Sequence, residues 1–236
     1  MNKNALLIGA AGGVGLAVCD HLGRNGWEIY ATYHNKLLEN KNGIRAYQLD
    51  ITDEAAVQHT MKNIFDSAGH VDAIVYMPSS AVKTQPLEAK IWNDFQRHID
   101  VQLKGLFTVV KSALPIIKKQ SRTKIVVLLT ECCFGQPPNG MADYVSAKYA
   151  LEGFSKSLAV ELARYNCTVN MVSPGVMKTP LTAMLPDKLF ELLAMQNPLK
   201  KLATPDDVAG VVEFLISDAA DYLNGVNIPV NGGGVM

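Results

Sequence analysis

Seven short apolar runs, at residues 5–8, 28–33, 45–48, 73–76, 124–129, 168–172 and 226–229, punctuate the 236-residue chain. Between them, residues 14–25, 54–68, 94–118, 142–164 and 205–217 place apolar side chains at helical spacing. Strands that are apolar on both faces must be buried on both faces, and successive parallel strands need a crossover, usually a helix. The alternation therefore predicts an α/β fold, a Rossmann-like doubly wound parallel sheet of seven strands with helices on both faces. No repeat, low-complexity tract or Gly/Ser linker interrupts it, so a single domain over 1–236 is expected.

Composition narrows the function classes. Lys and Arg (22) balance Asp and Glu (22), which gives no reason to expect nucleic acid or an anionic membrane surface as a partner. The apolar stretch 5–11 is short and broken by Gly9, unlike a signal peptide or membrane span, so a cytoplasmic protein is expected. Cys19, Cys132, Cys133 and Cys167 lack CxxC spacing; they read as free thiols, with no metal site.

The turn after the first strand, "LLIGAAGGVGLAV", sets Gly9, Gly13 and Gly15, with Val14 between the last two, at the start of the first helix. Glycines there let backbone N–H groups approach a pyrophosphate, which the helix N-terminus favours. The spacing is G-x-x-x-G-x-G, distinct from the general dinucleotide fingerprint. The second strand ends in "IYATYHNK", where Thr32, Tyr33, His34, Asn35 and Lys36 offer no carboxylate. A carboxylate there would bind the ribose hydroxyls of NAD and repel a 2′-phosphate, so NADP (NADPH) is favoured over NAD. Asp50, followed by Ile51, can accept from an adenine amino group or belong to the N-cap region of the next helix.

"DYVSAKYALEGF" places Tyr144 and Lys148 on one face of a long helix, one turn apart. A nearby ammonium favours the phenolate and fits the phenol for proton donation and acceptance near neutral pH.

On Gly9-x-x-x-Gly13-x-Gly15, Asp50, Tyr144-x-x-x-Lys148 and "NMVSPGVMKT", with Asn170, Pro174, Gly175, Val176 and Thr179, the chain resembles the short-chain dehydrogenase/reductases over its full length. Its layout from Thr179 through "NPLKKLATPDDVA" is most similar to the bacterial 3-oxoacyl-[acyl-carrier-protein] reductases. The resemblance implies hydride transfer from a nicotinamide to a carbonyl carbon, Tyr144 protonating the oxygen and Lys148 tuning the phenol and contacting the ribose. Pro174, Gly175, Val176 and Thr179 would lie beside the nicotinamide, and residues 180–201 would form a small substrate lid. The resemblance also implies a homo-oligomer, tetramer or dimer, built partly on the helices at 94–118 and 142–164.

Three family elements are altered. "VYMPSSA" replaces the glycine-containing cofactor wall after the fourth strand, and Gln102 stands for an asparagine that holds a relay water. The third is the catalytic serine, for which "LLTECCFG" offers Thr130 or Glu131 depending on the direction of counting. Thr130 is preferred because a hydroxyl can donate to a substrate oxygen, whereas an ionised Glu131 opposes a developing oxyanion. The five histidines lie in segments that give no reason to place one beside Cys132 and Cys133.

The leading expectation is thus an NADP-dependent carbonyl reductase acting on a 3-oxoacyl thioester, carried on acyl carrier protein or coenzyme A, or on a polyketide-like ketone. The altered site leaves a second reading, a non-catalytic or weakly active nucleotide-binding subunit that regulates or pairs with a partner. A third keeps the enzyme and substitutes a sugar or cyclic alcohol as substrate.

Overall fold

The computed structural model describes residues 3–41 and 43–235; the outer bounds of the expected domain fall outside them. Strands β1 (Asn4–Ile8), β2 (Glu28–Tyr33), β3 (Ile44–Gln48), β4 (Ala73–Tyr76), β5 (Thr123–Leu128), β6 (Cys167–Pro174) and β7 (Asn227–Val230) form one sheet in the order β3-β2-β1-β4-β5-β6-β7. Every pairing is parallel. Each strand matches a predicted run to within two residues at either end.

The alternating strand geometry explains the two-sided core. Leu6, Ile8, Ile74, Tyr76, Ile125 and Val127 point to one face, where helices α2 (Glu54–Ala68), α4 (Gly105–Ile117) and α5 (Ala142–Leu162) cover them. Their neighbours Ala5, Leu7, Ala73, Val75, Val126 and Leu128 point the opposite way, beneath α1 (Gly13–Arg24) and α7 (Pro205–Ile216). Each large side chain buried this way contributes on the order of 1.5–3 kcal/mol. Thr204 starts α7 with its hydroxyl accepting from Asp207 N at 3.2 Å, while Asp207 Oδ2 accepts from Thr204 N at 2.8 Å.

The single helix expected at 94–118 is instead α3 (Trp92–Ile99), a π-helical turn over Asp100–Lys104, and α4. The Tyr76 hydroxyl, at the end of β4, donates to the Val101 carbonyl inside that turn. Gly105 makes room for it, since a Cβ there would overlap the Tyr76 hydroxyl and press on Ile51 Cγ1. Helical periodicity alone does not register such an inserted residue. Within the expected lid region a short turn at Pro180–Thr182 leads to α6 (Asp187–Gln196). Among the described residues no helix is long and apolar enough to cross a membrane.

The order of strands reverses between β1 and β4, and a ligand crevice in such sheets opens at the carboxyl ends of the strands flanking that point.

Candidate active site

At the end of β1 the chain turns through Gly9, whose φ of 78° lies in the left-handed region and whose added Cβ would come within 3.1 Å of Pro78 N. The turn is pinned from β2: Gly9 N donates to Thr32 Oγ1 at 3.1 Å and Ala10 N to Thr32 O at 2.8 Å. Thr32 is therefore buried and committed to the turn, and the exposed end of β2 is left to His34, Asn35 and Lys36, with Tyr33 half-buried before them. Helix α1 begins at Gly13 with no side-chain cap at Gly12 and no acidic residue in its first turn. A Cβ on Gly13 would meet Thr179 Cγ2 at 3.0 Å. An uncapped, acid-free helix start reached through small residues fits the pyrophosphate of a dinucleotide.

At the neighbouring edge, Asp50 Oδ1 accepts from Thr52 N at 2.9 Å and Thr52 Oγ1 at 2.7 Å. These bonds hold the Asp50 carboxyl below the ordinary range, and His34 Nε2 lies 3.7 Å from its other oxygen. The N-cap of α2 is Asp53, which accepts from Ala56 N at 3.0 Å, so the capping reading of Asp50 is overturned. Ile51 packs onto the core on the α4 face of the sheet.

On the other side of the crevice, Pro174 ends β6, and Gly175 N donates to Val230 O at 3.0 Å. Val176 N donates to Glu131 Oε1 at 3.2 Å, and Thr179 N to Thr182 Oγ1 at 3.0 Å. Asn170 ties β6 to the β7 side by donating to Leu223 O at 2.9 Å and accepting from Val226 N at 3.2 Å.

The first turns of α5 carry Tyr144 and Lys148 over the end of β5, both buried. Lys148 Nζ donates to Leu128 O at 2.8 Å and lies 5.8 Å from the Tyr144 ring centroid. Burial pushes the Lys148 ammonium down to about 8. Burial also pushes the Tyr144 phenol up, and the group that opposes this is the Thr130 side chain, through a hydrogen bond. Desolvation thus dominates the neutral phenol, and the Thr130 side chain counters it.

Thr130 and Glu131 send their side chains to different partners. Thr130 Oγ1 accepts from Cys132 N at 3.3 Å, starting the short turn Glu131–Cys133. Glu131 turns away: Oε1 takes the Val176 amide, and Oε2 is 3.2 Å from where a Cβ on Gly175 would lie. Its carboxyl is pushed up by burial, and the Val176 and Asn231 hydrogen bonds pull it back. Cys132 and Cys133 are half-buried, and burial raises both thiols, Cys133 to about 12, which is the profile of packing side chains rather than nucleophiles.

Gln102 lies in the π-helical turn, fully buried. Its Nε2 is 3.2 Å from Nδ1 of His98, which also meets Ser80 Oγ at 3.0 Å. The His98 ring stands edge-on to Tyr144, centroids 5.7 Å apart. Sequence reasoning missed this histidine. The available signal was its spacing, four residues and one helical turn before Gln102.

A family model described as Enoyl-(Acyl carrier protein) reductase matches residues 9–234. The chain belongs to the short-chain dehydrogenase/reductase family. It is an NAD(P)-dependent oxidoreductase of that family.

Among its relatives, the 3-oxoacyl-[acyl-carrier-protein] reductase FabG of Staphylococcus epidermidis is 31% identical over 248 residues, covering 100% of both chains. FabG of Salmonella typhimurium is 32% identical over 246 residues, covering 99% of this chain and 98% of its own. The structure of ElxO with NADP bound superposes with a TM-score of 0.90 at 26% identity, covering 99% of each chain. The 3-ketoacyl-(acyl-carrier-protein) reductase of Brucella melitensis complexed with NADH gives 0.91 at 25%, covering 99% of this chain and 98% of that one. The three altered elements of the sequence thus sit on an intact family framework.

Proposed function

We propose that this oxidoreductase reduces the ketone of a 3-oxoacyl thioester with NADPH, the acyl group being carried on acyl carrier protein or coenzyme A. The observation that carries this reading is the burial of Tyr144 and Lys148 together at the start of α5, Lys148 Nζ 5.8 Å from the Tyr144 ring centroid, with the Thr130 hydroxyl at the end of β5 beside them. Two hydroxyls side by side can both donate to one carbonyl oxygen as it gains negative charge. The named relatives that act on oxoacyl thioesters supply the substrate class.

When bound, the nicotinamide supplies the hydride that reaches the carbonyl carbon. Gly13, Val14 and Gly15 hold its pyrophosphate with their amides, and Asp50 and Ile51 border the adenine. His34, with Tyr33 and Lys36 beside it, receives the 2′-phosphate. Pro174, Gly175, Val176 and Thr179 wall the nicotinamide end. Tyr144 gives its proton to the carbonyl oxygen while Thr130 donates a hydrogen bond to the same atom. The Lys148 ammonium stabilises the phenolate left behind, and Gln102 holds the water through which Tyr144 is reprotonated.

Residues 180–201 act as the substrate lid. Leu181, Met184, Leu192 and Met195 are exposed there, an apolar surface suited to an acyl chain. Exposed Phe107 on α4 with Tyr149 and Val160 on α5 supply a face for self-association. Val160→Asp is expected to lower the mass measured by light scattering to that of a smaller assembly.

The test follows NADPH and NADH oxidation with acetoacetyl and crotonyl thioesters, for wild type and Tyr144→Phe. NADPH-dependent loss of the ketone in wild type alone supports the reading. Turnover of the enoyl thioester instead transfers the site to double-bond reduction, and silence with both sinks it.

A further inference from the structure

Behind Tyr144 lies a polar cluster in which Lys90, Asp143 and His98, which the proposed chemistry does not use, adjoin Gln102. Lys90 Nζ and Asp143 Oδ2 pair at 2.7 Å with both side chains 1% exposed, and Lys90 also donates to Lys83 O at 3.1 Å. Asp143 Oδ1 accepts from Tyr144 N at 2.9 Å. His98 sits between this pair and Gln102, its Nε2 facing Asp143 Oδ2 at 3.9 Å. Two side-chain atoms of the cluster, His98 Nε2 and Gln102 Oε1, are buried without a hydrogen-bond partner.

The contacts decide the tautomer. A ring nitrogen facing a carboxylate carries the hydrogen, because a bare lone pair there would be repelled, so the N–H belongs on Nε2. Nδ1 is then a bare acceptor, which the Gln102 NH2 and the Ser80 hydroxyl can both satisfy. With the NH2 turned to His98, the carbonyl oxygen is the other end of the Gln102 amide, and it is buried with no partner. A protonated His98 would donate from Nδ1 and force the amide to turn round, offering an NH2 where an acceptor had been.

Resting on the reductase reading above, we propose that His98 is a positioning residue: its neutral imidazole, held between Asp143 and Gln102, fixes the Gln102 amide with the carbonyl oxygen toward the tyrosine–lysine pair. A longer amide at this position has one more rotatable bond than asparagine, and His98 supplies the constraint that the extra bond removes. The neighbours agree on the neutral state. Burial lowers the imidazole pKa from 6.5, Arg97, Lys90 and Lys148 lower it further, and only Asp143, already neutralised by Lys90, raises it. The Tyr144 phenol, pushed up by burial, faces it as an uncharged ring.

Two measurements on the whole protein test this. In the first, long-range nitrogen NMR of histidine-labelled protein assigns His98 by difference against His98→Asn, and the Gln102 side-chain amide by difference against Gln102→Leu. The expected result is the Nε2–H tautomer, uncharged at pH 7, with Gln102 amide protons that lose protection in His98→Leu. An Nδ1–H tautomer, a charged ring at pH 7, or unchanged amide protons in His98→Leu would overturn the proposal whatever the activity. In the second, kcat and KM are followed against pH with NADPH and acetoacetyl thioester.

His98→Leu is expected to lower kcat by about 10- to 100-fold with KM nearly unchanged, the scale of a misplaced catalytic group. His98→Asn, which keeps a permanently uncharged acceptor near the Nδ1 position, is expected to restore most of kcat and to lose the acid limb that protonation of His98 gives wild type. Equal kcat in all three, or an acid limb that persists in His98→Asn, rejects it while leaving the reductase reading intact. If wild type and Tyr144→Phe are equally silent, the reductase reading falls and the NMR result alone decides the role of His98. Should His98→Leu not fold, the tautomer and the titration of wild type carry the decision.

Discussion

Lys148 spends its ammonium on the carbonyl oxygen of Leu128, at 2.8 Å, from a position that is 2% exposed. A single backbone acceptor does not repay the desolvation of a charge, which is why the pKa falls from 10.5 to about 8. The unfolded chain therefore binds more protons than the folded one between about pH 8 and 10.5, and stability rises with pH across that window. At neutral pH the buried charge costs about 3 kcal/mol relative to an unperturbed lysine.

The first prediction follows from that cost. Lys148→Met removes the charge and loses one hydrogen bond, whose donor is worth about 1–3 kcal/mol to the Leu128 carbonyl. The two effects oppose, so the Tm at pH 7 is expected to hold or rise by about 2–4 °C while kcat falls by about 100-fold or more. A calorimetric Tm lowered by 5 °C or more would show that the lysine stabilises the fold.

Thr130 and Glu131 are adjacent in sequence and opposite in duty. Thr130→Val keeps the shape and deletes the hydroxyl beside Tyr144, and is expected to lower kcat about 100-fold, with Thr130→Ser recovering most of it. Glu131→Gln keeps an acceptor for Val176 N and removes a carboxyl whose pKa burial has raised. A raised carboxyl stabilises the fold below the unfolded value of 4.5 and loses that contribution as pH rises through the folded value. Glu131→Gln should thus leave kcat within about 3-fold and Tm at pH 7 unchanged or higher. Parallel kinetics and melting of the two variants separate the roles, and an inverted outcome would return the catalytic position to Glu131.

The sheet was legible because strand burial on both faces writes itself as uninterrupted apolar runs, as at Ala73–Tyr76, where all four residues are buried. The tyrosine–lysine pair was legible because helical spacing fixes two side chains on one face. The contributions of Thr32, Asp53, His98 and the π-helical turn were not. Three of them depend on a long-range partner: Gly9 N for Thr32, Asp143 for His98, the Tyr76 hydroxyl for the turn at Val101. Asp50 and Asp53 differ by three residues, and only the observed backbone shows that the later one accepts from the first turn of α2.

Gly105 carries a prediction about that turn. Its missing side chain is the space that the Tyr76 hydroxyl occupies on its way to the Val101 carbonyl. Gly105→Ala should therefore cost about 1–3 kcal/mol despite the better helix propensity of alanine. Removing the hydroxyl with Tyr76→Phe should make the same alanine cheaper, so a double-mutant cycle by urea unfolding is expected to show coupling of at least about 1 kcal/mol. Additive costs would mean that the two residues do not compete for the space.

In the proposed function cofactor choice rests on the exposed end of β2, where His34 faces Asp50 at 3.7 Å and Lys36 is open to solvent. His34→Asp would place a second carboxylate beside Asp50, whose own carboxyl is already held low by Thr52 and is ionised at neutral pH. A 2′-phosphate approaching that pair meets two negative charges, whereas a ribose hydroxyl can donate to either of them. NADPH affinity is expected to fall at least about 10-fold and NADH affinity to hold or rise, read by nucleotide fluorescence titration at fixed ionic strength. Lys36→Ala, which removes only attraction, should weaken NADPH less than His34→Asp and more at low salt than at high salt. Loss of both nucleotides to the same extent in His34→Asp would mean that the end of β2 shapes the site without reading the phosphate, and would overturn the proposed basis for choosing NADPH.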